Sequence, residues 1–133
     1  MPCLAFPLER MTKKKRIILV EDDYTYLNLI ANYLTKEGYE VAAYCHGEIA
    51  MDSYNNQAAD LVITDIFLPD IDGIDLIRVL KQINPEVKII SMSAQDATAN
   101  VDHLAISLSL GCSHALRKPL NFPDLAKLIT QVI

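Results

Sequence analysis

The chain has 133 residues, 51% hydrophobic and 22% charged, with 4 Gly and 6 Pro; this excludes a fibrous or low-complexity chain and suits one domain burying about two-thirds of its unfolded surface. The formal charge of -5 is uneven: residues 1–16 hold five basic side chains against one acid, Glu9, leaving 7 basic and 16 acidic groups in an acidic body that disfavours direct nucleic-acid binding. No apolar run reaches the roughly 18 residues of a membrane span, and Cys3, Cys45 and Cys112 share no metal-ligand spacing, as expected of free thiols in a reducing cytoplasm.

Residues 1–15 read as a flexible basic extension and 16–133 as the folded domain. The apolar stretch Cys3–Leu8 is interrupted by Pro7 and lacks the preceding charge, length and cleavage site of a secretory signal. Met11, just before Lys13-Lys14-Lys15-Arg16, is a candidate alternative start, and the basic run reads as a solvated tail.

Past Arg16, short apolar runs alternate with helix-period segments. Ile17-Ile18-Leu19-Val20 shows no polar alternation, as in a strand buried on both faces. Leu27, Ile30, Ala31 and Leu34 follow at helical spacing, with Gly38 as the stop. Val41–Tyr44 is a weaker strand and Gly47–Gln57 a weakly patterned helix. Leu61–Ile63 is a third strand; Leu76, Ile77, Leu80 and Ile83 form a helix face ending before Pro85. Val87–Ile90 is a fourth strand, and Val101, Leu104, Ala105 and Leu108 repeat the helical spacing up to Gly111. A short fifth strand at Ala115-Leu116 precedes a helix with Leu125, Leu128, Ile129 and Val132 inward and Asn121 as its cap. Five strands alternating with five helices predict a flavodoxin-like doubly wound α/β fold, a parallel sheet of order 2-1-3-4-5 with helices on both faces. Ligands of such sheets sit beyond the carboxyl ends of the strands, where the order reverses.

At that rim the sequence places Glu21-Asp22-Asp23 after strand one and Asp65 after strand three. Strand four ends in Ser91-Met92-Ser93-Ala94, and strand five runs into Lys118-Pro119. Clustered carboxylates repel one another unless a cation intervenes. An all-oxygen donor set without His or Cys favours Mg²⁺. A carboxylate beside Mg²⁺ and an ammonium is equipped to attack a phosphoryl group, with a hydroxyl and a backbone N–H sharing the charge on its oxygens. Asp23 reads instead as a helix N-cap. Asp70-Ile71-Asp72-Gly73 lacks the remaining ligands of a calcium loop and reads as a turn plus helix start. His46, His103 and His114 share no catalytic or metal spacing and read as structural, and the Tyr residues are scattered.

Ile-Leu-Val-Glu-Asp-Asp (18–23), Asp-Ile-Phe-Leu-Pro-Asp-Ile-Asp-Gly (65–73), Met-Ser-Ala (92–94) and Lys-Pro (118–119), in that order, resemble the receiver domain of two-component response regulators, over roughly 17–133. The resemblance implies that Asp65 is the phosphoacceptor. It implies Mg²⁺ held by Asp22 and Asp65, by Glu21 mostly through water, and by the Phe67 carbonyl. Ser93 and the Ala94 N–H would bind phosphoryl oxygens, Lys118 would pair with the phosphate, and the Lys118–Pro119 bond would be cis, an isomer found in about 5–6% of X–Pro bonds. Implied partners are a sensor histidine kinase or histidine phosphotransferase, and a downstream protein, with the fourth helix and Ile129–Ile133 as the contact surface. No effector segment follows Ile133 in this sequence, so output is expected through protein contacts or onward phosphotransfer.

Two departures stand out. Ala115 replaces an aromatic whose inward swing usually reports phosphorylation, so coupling to the fourth and fifth helices is expected to be weak or to take another form. The Ser93–Lys118 segment is also a few residues longer than in the chemotaxis regulators, with the extra length around Gln95–Asn100. Phe67 and Gln95 occupy positions that tune access of hydrolytic water, and a bulky Phe67 suggests hindered attack. An unphosphorylated receiver-like adaptor is the alternative that Ala115 and the longer loop raise. An FMN carrier would want Ser, Thr or Gly where the acids follow strand one. A haloacid-dehalogenase-type phosphatase would want an Asp where Phe67 stands.

Overall fold

The computed structural model describes residues 13–94 and 102–133, and in these the predicted alternation of strand and helix is present throughout. The elements are β1 (Arg16–Val20), α1 (Tyr24–Lys36), β2 (Glu40–Tyr44), α2 (Gly47–Asn56), β3 (Leu61–Asp65), α3 (Gly73–Ile83), β4 (Ile89–Ser93), α4 (His103–Ser109), β5 (His114–Arg117) and α5 (Phe122–Val132). The strands form one sheet in the order β2-β1-β3-β4-β5, every pairing parallel. The flavodoxin-like expectation is therefore met.

Burial explains which runs became which strands. β3 and β4 are buried at every position and β1 at all but Arg16, as uninterrupted apolar runs require. β2 lies at an edge and is only half-buried. Alternate side chains feed two cores. Ile17, Leu19, Leu61, Ile63, Ile90 and Met92 pack with Leu27, Ile30 and Leu34 of α1 and Leu125 and Ile129 of α5. Ile18, Val20, Val62 and Ile89 pack with α2, α3 and α4 through Ala50, Tyr54, Leu76, Ile77, Leu80 and Leu104. Each fully buried aliphatic side chain contributes about 1.5–3 kcal/mol.

The ends of the elements follow local hydrogen bonding. Asp23 caps α1 by accepting the Tyr26 N–H at 3.2 Å, and Asn121 caps α5 through the Asp124 N–H at 3.0 Å. Gly38, at φ +100°, takes the left-handed turn that ends α1. β4 begins at Ile89 rather than Val87, because Val87 is spent on the turn before it. Its N–H donates to the Asn84 carbonyl at 3.0 Å, and its own carbonyl accepts from Lys81 Nζ at 2.9 Å. β3 and β5 extend slightly beyond their apolar cores, to Asp65 and Arg117. α4 starts at His103 behind an Asp102 cap. The expectations for residues 1–12, for the segment Gln95–Asn100 and for Val101 lie outside the described residues. The Lys118–Pro119 bond is cis, as the resemblance implied. Among the described residues no helix is long and apolar enough to cross a membrane.

Candidate functional site at the carboxyl rim of the sheet

β1 and β3 are neighbours and parallel, with Val20 opposite Thr64, so the residues that follow them emerge side by side at one rim. The Glu21 N–H still pairs with the Tyr44 carbonyl of β2 at 3.1 Å, which draws Glu21 into the sheet and leaves it 0% exposed. Asp65 ends β3 and is 5% exposed, whereas Asp22 is open to solvent. One ligand oxygen from each of Glu21, Asp22 and Asp65 lies within 4.8 Å of the others.

β5 brings the counter-charge. The Lys118 N–H donates to the Ser93 carbonyl at 2.9 Å, which continues the β4–β5 ladder and turns Lys118 toward the acids. Its Nζ bridges Glu21 Oε1 and Asp65 Oδ2. It also lies 5.3 Å from the centroid of the Tyr26 ring. The Tyr26 hydroxyl in turn accepts the Leu120 N–H at 2.8 Å, tying α1 to the segment after β5. The other oxygens are held too: Asp65 Oδ1 accepts the Phe67 N–H at 2.9 Å, and Glu21 Oε2 the Asp23 N–H at 3.3 Å.

The electrostatics follow from this crowding. Burial pushes the Glu21 carboxyl up to about 7; Lys118 opposes the rise and the Asp65 carboxylate adds to it. Burial alone would lower the Lys118 ammonium, yet its bonds to Asp65 and Glu21 outweigh that and raise it. Three carboxylates thus face one ammonium, an imbalance that a dication would cancel. The donor set is all oxygen, which suits Mg²⁺.

The structure therefore brings together Glu21, Asp22, Asp65 and Lys118, with Ser93 buried at the end of the neighbouring strand β4 and Ala94 exposed just beyond it. A surface cavity of about 310 Å³ is lined by Glu21, Asp23, Tyr26, Ala94, Lys118 and Pro119. Phe67, 47% exposed, sets its ring edge-on against His103 of α4, with centroids 5.0 Å apart. Two contacts carry no signal in the sequence. Tyr26 precedes the Leu27–Leu34 stripe and carries no local signal of a partner 94 residues away. Asp70 reads as a turn residue but accepts the N–H groups of Gly47 and Glu48. Burial would raise its carboxyl; those bonds prevail and hold it below the usual carboxylate range.

Comparison with known proteins agrees with the geometry. The family model for the response regulator receiver domain matches residues 17–130. The chain is 32% identical over 120 residues to the response regulator receiver protein CpdR of Brucella abortus, covering 90% of this chain and 97% of that protein. It is 36% identical over 88 residues to the chemotaxis protein CheY of Thermotoga maritima, covering 65% and 73% of the two. A CheY-like response regulator receiver domain protein from Methanospirillum hungatei superposes with a TM-score of 0.82 at 29% identity, covering 90% of this chain and 93% of that one. The chain spans half the length of the longer transcriptional regulatory protein YcbL of Bacillus subtilis, to which it is 29% identical. The match along nearly the whole sheet, joined to the convergence of acids and lysine at its rim, places this chain in the response regulator receiver domain family of two-component signalling.

Proposed function

We propose that the chain is a phosphoacceptor in a His–Asp phosphorelay, with residues 16–133 as the receiver and Asp65 as the Mg²⁺-dependent acceptor. The convergence of Glu21, Asp22, Asp65 and Lys118 on one rim is the observation that carries this reading. Asp22, Asp65, the Phe67 carbonyl and, through water, Glu21 would hold the metal. Mg²⁺ when bound would neutralise the carboxylate excess and the charge of an incoming phosphoryl group.

The chain's own residues do the rest. The Phe67 N–H and Lys118 fix the orientation of the Asp65 carboxylate. An Asp65 oxygen gives its electron pair to phosphorus; the bond from phosphorus to the donor histidine nitrogen breaks, and that pair returns to the imidazole. The product is an aspartyl phosphate. Lys118, the Ser93 hydroxyl and the Ala94 N–H would bind the phosphoryl oxygens. The donor would be a sensor histidine kinase or histidine phosphotransferase in the cytoplasm. The phosphorylated form would then change affinity for a downstream protein.

The test is incubation with acetyl phosphate and Mg²⁺, followed by intact-mass measurement. One added phosphoryl group in the wild type and none in Asp65→Asn is expected. No modification of the wild type would instead favour an adaptor that works unphosphorylated.

A further inference from the structure

The loop joining β3 to α3, residues 66–72, carries Phe67 and is fastened at both ends by backbone bonds. The Ile66 N–H donates to the Met92 carbonyl at 3.0 Å, and the Gly73 N–H to the Ile66 carbonyl at 2.8 Å. Gly73 has no room for a side chain, since a Cβ there would stand 2.4 Å from the Ile66 carbonyl oxygen.

The middle of the loop is held differently. Asp70 Oδ1 accepts the Gly47 N–H at 2.9 Å and Oδ2 accepts the Glu48 N–H at 3.0 Å. These amides open α2, where backbone N–H groups have no partner within the helix. His46, at the N-cap position, makes no capping bond with its side chain. Asp70 therefore supplies, from the loop, the cap that the local sequence lacks. The contact is close as well as polar: a Cβ on Gly47 would fall 2.3 Å from Ile71 Cγ2 and 3.1 Å from Leu68 Cδ1. The loop rests on the first residue of α2.

We propose that Asp70 is a positioning residue for the metal and phosphoryl site: its two-oxygen bridge to the start of α2 fixes the loop that carries the Phe67 carbonyl. This rests on the Mg²⁺-dependent reading above. Outer-shell residues that orient metal ligands commonly change metal affinity 10- to 100-fold when removed. The bridge uses both carboxylate oxygens, so Asn, with one acceptor oxygen, can restore only half of it.

Asp70→Ala, Asp70→Asn and the charge-matched control Asp75→Asn separate position from charge. Asp75 is exposed in the first turn of α3 and pairs with Arg78. Mg²⁺ affinity is read by calorimetry at high salt, beside the melting temperature without metal. Asp70→Ala should raise the Mg²⁺ dissociation constant about 10-fold, Asp70→Asn should fall between it and the wild type, and Asp75→Asn should match the wild type. At saturating Mg²⁺, the labelling rate of Asp70→Ala should return to the wild-type value. Equal Mg²⁺ affinity in Asp70→Ala and Asp75→Asn, with only the melting temperature lowered, would reduce Asp70 to a helix cap and overturn the proposal. If Asp70→Ala does not fold, Asp70→Asn carries the same comparison. Failure of the wild type itself to bind Mg²⁺ would overturn the functional reading and this one together, whereas binding unaffected by Asp70 overturns this one alone.

Discussion

The two ends of the sheet use charge in opposite ways. At the amino end, the Arg16 guanidinium donates to Ser53 Oγ at 3.1 Å and lies 3.7 Å from Glu40, while its backbone N–H donates to Asp60 Oδ2 at 2.8 Å. Ser53 is tied in turn to the Tyr44 hydroxyl at 2.8 Å. Charge there is dispersed, and the result joins β1, β2 and α2. At the carboxyl end, three carboxylates crowd one ammonium and two of them are buried. A buried excess of one sign costs stability in the absence of a ligand. The first arrangement ties elements together; the second suits the cation and phosphoryl group proposed for it.

Substitutions at the two ends should therefore have different effects. The largest separation is expected from Asp65→Asn, which should abolish acetyl-phosphate labelling while circular dichroism shows an intact fold. Lys118→Ala comes next: labelling should slow about 100-fold or more, the scale of losing one preorganised donor to the transition state. Calorimetry should find Mg²⁺ binding no weaker, because the ammonium occupies carboxylate oxygens of Glu21 and Asp65 beside which the proposed metal would sit. Arg16→Ala should do the reverse, lowering stability by about 1–3 kcal/mol in denaturant titrations with labelling unchanged.

A smaller effect is expected from pH. The folded-state value of Glu21, about 7, lies above its ordinary 4.5, so the folded metal-free protein binds that proton more readily than the unfolded chain. This group's destabilisation is complete above pH 7 and is relieved as pH falls from 7 toward 4.5. Metal-free melts should thus show a higher melting temperature at pH 6 than at pH 8, a difference that shrinks in Glu21→Gln. Mg²⁺ affinity should fall over the same descent, since protonating Glu21 removes a negative charge beside the proposed metal position. Asp22→Ala should give the smallest change, a slight rise in metal-free melting temperature, because Asp22 is solvent-exposed.

The same contrast explains what could be read from the sequence. Ile17–Val20 and Leu61–Ile63 are legible as strands because burial on both faces leaves unbroken apolar runs. Strand–helix alternation implies a parallel sheet, for which order 2-1-3-4-5 is the economical form at this length, and Glu21, Asp22, Asp65, Ser93 and Lys118 stand at its carboxyl rim. Val87 misleads because an apolar residue at a strand's approach looks the same whether its backbone pairs with β3 or closes the turn at Asn84. Asp70 and Tyr26 are illegible for another reason. Their roles lie in contacts 22 to 94 residues distant, and neither hydropathy nor local spacing encodes those. The edge-on approach of Phe67 to His103 is of the same kind: only the folded sheet brings the β3–α3 loop beside α4.

A divalent cation poised beside Asp65 is proposed to answer the acidic excess at the carboxyl rim. Crystals grown with Mn²⁺ in place of Mg²⁺ test it through anomalous scattering. One strong anomalous peak coordinated by Asp22, Asp65 and the Phe67 carbonyl is the expected result. A map with no peak at that rim, or with its peak at carboxylates elsewhere on the protein, would contradict it.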